Sequence, residues 1–272
     1  MKIIFLVAAD SIRALLHQKL LLGLMLVSLA LTIFFSITMA SIRHNITASF
    51  ADEETSTNVF AGTSHMSATE QKKFREQMDQ GSAYVQGAFY GIVSFCGSLV
   101  ALFIFSTAVA SEIRRGTIRL TLSKPVSRTQ YFLGKYLGGV AVMAGYALIS
   151  SLAILIFAQT ENVDLNAAIK WSPWLMFCRQ LMLGSLVMLL SLFIHPMIAA
   201  ALAYFAGNGF YSLQNPLYYL LPGYQDFNVF SQVINGSLIR WQDVIYLTLY
   251  AADFVVIMLL LALWRFRTKE LV

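Results

Sequence analysis

Apolar runs of about 20 residues recur along this chain of 272 residues, and that feature narrows what it can fold into more than any other. A helix rising 1.5 Å per residue needs about that length to cross a hydrocarbon layer about 30 Å thick. Inside the layer each backbone N–H and C=O must find its partner within the segment, so each run reads as helix. Six spans are expected, at residues 20–40, 84–110, 130–157, 175–193, 197–213 and 244–264. Composition agrees. Hydrophobic residues make up 58% of the chain and charged residues 12%, against roughly 25% charged in soluble domains, and the mean hydropathy is +0.67. The expected fold class is therefore an all-α integral membrane protein in which residues 1–272 form a single transmembrane domain.

The distribution of Lys and Arg orients the spans, because cytoplasmic segments carry the excess of basic residues. Six spans place both termini on one side, together with the segment between spans two and three and the turn between spans four and five. Together with Lys135 at the start of span three, these hold 12 basic residues against Asp10, Glu112 and Glu270, and everything else holds 7 basic and 11 acidic residues, completing the totals of 19 and 14. Both termini are expected in the cytoplasm. The pI of about 9.2 then reflects topology, and no nucleic-acid partner is expected.

Residues 1–19 are amphipathic at helical spacing, with Ile4, Val7, Ile12, Leu15 and Leu16 apolar and Lys2, Asp10, Arg13 and His17 polar. Two readings fit: an elbow helix lying in the inner interface, or a cytoplasmic extension of the first span. The apolar stretch at its start is short and charged residues follow it, so it is expected to be retained rather than cleaved. Residues 41–82 form an external insertion. It is soft and acidic around Asp52, Glu53 and Glu54, then helical from a capping box at Ser67 and Glu70. Residues 214–243 are rich in aromatic side chains and broken by Pro216, Pro222 and Gly223, which suits short helices in the outer interface. His195-Pro196 between spans four and five reads as a tight turn, since proline favours a helix start. Cys96 and Cys178 lie inside apolar runs and read as packing residues.

The segment 111–128 carries the most information. Glu112 follows a long span, an amphipathic stretch offers Ile113, Ile118, Leu120 and Leu122 for burial, and Pro125 breaks the helix. Ser127 and Gln130 then form a capping box that launches span three. Glu112 would face the free amides and positive end of a short helix, and Gly116 would let another backbone approach closely. The order of residues is Glu112, Gly116-Thr117, the apolar patch, Ser123-Lys124-Pro125-Val126-Ser127-Arg128, then Leu133-Gly134-Lys135-Tyr136-Leu137-Gly138. This order resembles the permeases of type-2 ABC exporters, the ABC-2 family, in which a Glu, a Gly-Thr, a Pro-Val/Leu-Ser-Arg segment and a Leu-Gly-Lys helix start link spans two and three. The motif covers about thirty residues, and the six-span layout with an N-terminal elbow is similar over the whole chain. The segment is also similar to that of the permease serving copper-site maturation of nitrous-oxide reductase.

The resemblance implies that Glu112, Ile113, Arg115, Gly116, Thr117, Ile118, Leu120 and Leu122 belong to a coupling helix that docks on a cytoplasmic ATP-binding subunit. It further implies two such ATPase subunits holding ATP and Mg, and a second permease chain, identical or paralogous. Localisation in the inner membrane of a bacterium follows. The insertion at 41–82 is longer than minimal members carry, which leaves the cargo open.

No catalytic residue, metal site or cofactor is expected in the chain itself. Gly134-Lys135 is followed by Tyr136 and lacks the spaced glycine of a phosphate-binding loop, and neither H-E-x-x-H nor G-x-S-x-G occurs. Arg179 and Asp253 remain as charges inside spans four and six, where an ionisable group is a functional candidate. Their similar depth would let them pair. A structural ion pair, a polar substrate or gating contact, and proton coupling all stay open. An ion-gradient-driven secondary transporter built on Arg179 and Asp253 is the alternative to the ATP-driven permease.

Overall fold

The apolar runs form helices in the computed structural model, which describes residues 2–19, 22, 23, 25–27, 30, 31, 33, 34, 37, 38, 41, 88, 90–115, 126–160, 167–209, 222–228 and 239–268. The helices are α1 (Lys2–Leu16), α2 (Tyr90–Ile113), α3 (Arg128–Thr160), α4 (Ala167–Ser191), α5 (Pro196–Gly209) and α6 (Trp241–Thr268). At its far end α2 loosens at Ala108 and Val109 and resumes as Ala110–Arg115. No strand occurs among the described residues.

Among the described residues, four helices are long and apolar enough to cross a membrane: α2, α3 over Arg128–Ala153, α4 over Lys170–Ser191, and α6. They answer to four of the six expected spans. The expected span at 20–40 is described only in part, at helical positions between 22 and 38. The expected span at 197–213 is represented by α5, whose 14 residues reach about 21 Å at 1.5 Å per residue. Residues 210–213 lie outside the described set, as does the insertion at 42–82 with its capping box.

Helix α4 begins well before the expected residue 175. Pro173 sits inside it, so the ring costs one backbone hydrogen bond without ending the helix. Pro196 opens α5 in the expected tight turn. The His195 carbonyl accepts the Ala199 amide at 2.8 Å and its Nδ1 accepts the Met197 amide at 3.3 Å, so His195 caps α5.

Helix α2 is the centre of the bundle. Val100, Ala101, Ile104, Phe105 and Val109 are fully buried, and 72% of its most apolar window is enclosed by the other helices, against 11% for α6. α6 therefore shows most of its surface outward, and large apolar side chains such as Tyr246, Leu249 and Leu260 are exposed there. A water-soluble monomer rarely shows so large an apolar patch, whereas lipid solvates it. Several serine and threonine hydroxyls inside the spans are satisfied within their own helices: Ser98, Thr107, Ser151 and Thr248 each donate to the carbonyl four residues earlier. Cys96 and Cys178 are buried free thiols, in keeping with a packing role.

The N-terminal helix is not an unbroken extension of the segment that follows it. The chain breaks at His17 and Gln18 before helix resumes at Lys19, so α1 is separate from the segment that follows. Val7, Ala8, Ser11 and Leu15 are buried at three- and four-residue spacing, while Phe5 and Leu6 are exposed on another face. One face packs on protein and another apolar face is left for the interface. In the aromatic segment after α5, Tyr224–Phe227 forms a single 3-10 turn with both end residues buried, and the Gly223 amide donates to the Tyr250 hydroxyl at 3.3 Å.

Candidate functional site

Span three starts where the sequence places it. The Gln130 amide donates to Ser127 Oγ and the Ser127 amide donates to Gln130 Oε1, both at 3.2 Å, closing the capping box. With the start of α3 set, Tyr131 and Lys135 stand one turn apart on the same face, and that face meets the end of α2.

Glu112 accepts from both residues. The Tyr131 hydroxyl bonds Glu112 Oε2, and Lys135 Nζ lies 2.5 Å from Oε1. Lys135 also stands 5.7 Å from the centre of the Tyr131 ring. The lysine side chain is 8% exposed and the glutamate 25%, so the pair is largely withdrawn from solvent. Neither partner was part of the expectation that Glu112 would face the amides of its own short helix. Glu112 does lie in the first turn of Ala110–Arg115, but an ammonium ion offers a full charge where a helix end offers about half of one.

The neighbouring face of the same α3 turn receives the elbow. A Cβ placed on Gly134 would lie 2.6 Å from Val7 Cγ1, and one on Gly138 would lie 2.6 Å from Ser11 Cβ and 3.0 Å from the Ala8 carbonyl oxygen. Bare glycines four residues apart let the two backbones touch. The third side is closed by the end of α6. Phe266 is stacked with Tyr131 at 6.2 Å and tilted on Phe132 at 5.4 Å. Arg267 donates to Thr129 Oγ1 at 2.7 Å and Arg128 to the Arg267 carbonyl at 3.0 Å. Elbow, end of α2 and start of α3 thus converge on Glu112, around a cavity of about 30 Å³ lined by Ser11, Gln18, Ser111, Glu112 and Lys135, and the end of α6 packs on the start of α3.

Among the expected coupling residues, Glu112 is brought into this junction, while Ile113 packs against the core and borders the turn between α4 and α5. Arg115 continues the helix. Gly116, Thr117, Ile118, Leu120 and Leu122 lie outside the described residues. Tyr131 was missed in the sequence, and Lys135 was read only as part of a Leu-Gly-Lys motif. The four-residue spacing of Tyr131 and Lys135 just after a capping box is the signal that could have found them.

A profile described as ABC-2 family transporter protein matches residues 6–178. This chain belongs to the ABC-2 transporter family. The match runs from the elbow through the Glu112 junction to the middle of α4, so it contains every helix that meets at Glu112 and leaves out α6. No curated protein matches the chain. An ABC-2 chain is a multi-pass membrane protein and the membrane subunit of its transporter, and the apolar helices fit that assignment.

The two intramembrane charges of this ABC-2 chain are not brought together. Arg179 Nη1 donates to Ser94 Oγ of α2 at 2.8 Å and lies within electrostatic reach of Tyr204 and Tyr224. Asp253 is exposed on α6. Burial pushes the Tyr224 phenol up, and the nearby Arg179 charge acts against that rise. Neutralising both charges is therefore expected to act as two separate changes. Arg179→Met should lower the unfolding temperature of the detergent-solubilised protein, and adding Asp253→Asn should leave it there. Recovery in the double variant would show that the two charges pair after all.

Proposed function

We propose that this chain is the transmembrane permease subunit of an ATP-driven exporter, in which a separate cytoplasmic subunit binds and hydrolyses ATP with Mg. The observation that supports this reading is the Glu112 junction. The first residues of the segment 111–128 are tied by an ion pair to α3, and through Gly134 and Gly138 to the elbow. A push on that segment from below would be passed to α2, α3 and the elbow together, since a packed junction of this kind moves as a unit.

In this reading Glu112, Ile113, Arg115, Gly116, Thr117, Ile118, Leu120 and Leu122 form the surface where closure of the ATPase dimer is received. Two ATPase subunits and a second permease chain, identical or paralogous, complete the transporter. The excess of basic residues near Glu112 and the termini supports a cytoplasmic location for that end, in the inner membrane of a bacterium. Within the family, the similarity of the segment to the permease of nitrous-oxide reductase maturation supports that relative as the first cargo system to test. The alternative driven by an ion gradient loses its pair of coupled charges, because Asp253 is exposed away from Arg179.

The test is Gly116→Trp in the complex reconstituted with its ATPase. Transport is expected to fall at least about tenfold, since a mispositioned contact of about 1 Å costs far more than that in coupled chemistry. The unfolding temperature of the permease should stay unchanged. Normal transport by a folded Gly116→Trp protein would contradict the assignment of this segment.

A further inference from the structure

At the end of the bundle opposite Glu112, α3 and α4 diverge and leave a cleft of about 450 Å³ between them. Its walls are Ala144, Ala147, Leu148 and Leu155 from α3, with Pro173 and Phe177 from α4. Pro173 has no amide to hold the helix ladder closed and carries a flat ring in place of a longer side chain, which opens the α4 wall. Two of the polar groups on the cleft are already satisfied. Ser151 donates to the Ala147 carbonyl at 2.6 Å, and Trp174 Nε1 donates to Thr248 Oγ1 at 2.9 Å. The interior therefore asks for an apolar occupant.

Shape agrees with one. From Ala144 to Leu155 the cleft runs about 16 Å along α3 at 1.5 Å per residue, and its volume of about 450 Å³ is ample for a single hydrocarbon chain. The rim supplies the rest. Lys170 is exposed at the mouth beside Trp171 and Trp174, and Trp171 is held against Trp241 at 5.1 Å. Tryptophan and lysine at the head of a span are the residues that meet lipid headgroups.

We infer that the α3–α4 cleft is a binding site for an anionic phospholipid, one acyl chain lying between Ala144 and Phe177 and the phosphate resting against Lys170. The inference depends on α3 and α4 spanning the membrane and stands whether or not the chain is driven by ATP. A lipid held there fills the gap that Pro173 leaves and ties the two helices together at the end far from Glu112.

The test uses the full-length protein in nanodiscs containing phosphatidylglycerol or phosphatidylcholine, each with a diazirine in the acyl chain, followed by peptide mapping of the photoproduct. Labelling is expected within 144–155 and 170–177. Phosphatidylglycerol should be favoured about fivefold, the gain of one lysine near an anionic headgroup. Lys170→Gln should abolish that preference while leaving the fold intact, and Ala144→Phe should remove labelling of the cleft with either lipid. Equal labelling by both lipids, labelling confined to other helices, a cross-link to a second copy of the chain in place of lipid, or an Ala144→Phe protein labelled like the parent would each overturn the inference.

Discussion

Lys135→Met is expected to destabilise the protein by about 2–4 kcal/mol, because it leaves the Glu112 carboxylate largely buried with its ammonium partner gone. The lower part of the range reflects the 25% exposure of Glu112, which lets solvent share some of the loss. Methionine replaces most of the volume of the lysine stem, so the effect reports charge rather than packing. Adding Glu112→Gln removes the stranded charge, and the double variant should recover most of the loss. Glutamine can still accept from the Tyr131 hydroxyl, which keeps that oxygen satisfied. Thermal unfolding in detergent measures all three variants. An additive double variant would mean that the pair carries no coupling, and that the ends of α2 and α3 are held by their apolar contacts alone.

Gly138→Leu is expected to have an effect of similar size by a different route. Its Cβ would meet Ser11 Cβ at 2.6 Å and the Ala8 carbonyl oxygen at 3.0 Å. The second of these is backbone, which cannot step aside without moving α1. Overpacking of this kind costs about 1–3 kcal/mol when the neighbours can adjust, and here the adjustment is displacement of the elbow. Amide exchange across residues 4–15 should rise by about tenfold or more as α1 detaches, while exchange in α2 stays slow. Gly145→Leu is the control on the same helix, since nothing lies within 4 Å of a Cβ there, and it should leave exchange in α1 unchanged. Equal protection of α1 in both variants would show that the elbow is held by something other than the two glycines.

Much of this arrangement can be read from the residues. Span-length apolar runs gave α2, α3, α4 and α6, because hydrophobicity over about 20 residues has one stable outcome in lipid. Ser127 and Gln130 foretold the start of α3 to within a residue, since a capping box is a local device whose geometry does not depend on the rest of the fold. The amphipathic pattern of residues 1–19 showed a helix and left open whether it was an elbow. The break at His17 and Gln18 is a matter of backbone packing that no pattern of side chains announces.

The candidate site was half legible. Glu112 stood out as a carboxylate at the end of a long span. Its partners Tyr131 and Lys135 lie nineteen and twenty-three residues further on, and only the angle between α2 and α3 brings them within reach. Arg179 and Asp253 show the opposite failure. Similar depth in two spans suggested a pair, but rotation about each helix axis decides which way a side chain points, and Asp253 turned outward while Arg179 turned to Ser94.

That an ATP-hydrolysing subunit drives this ABC-2 chain through the Glu112 end is tested most directly by purifying the tagged protein from its native membrane. Nucleotide turnover in the eluate and the identity of retained proteins are then measured beside a Leu120→Asp form. The account predicts a copurifying ATP-binding subunit with ATPase activity, lost from the Leu120→Asp form while the permease itself remains folded. A permease recovered alone from intact membranes, or one that retains its ATPase equally in both forms, would contradict it.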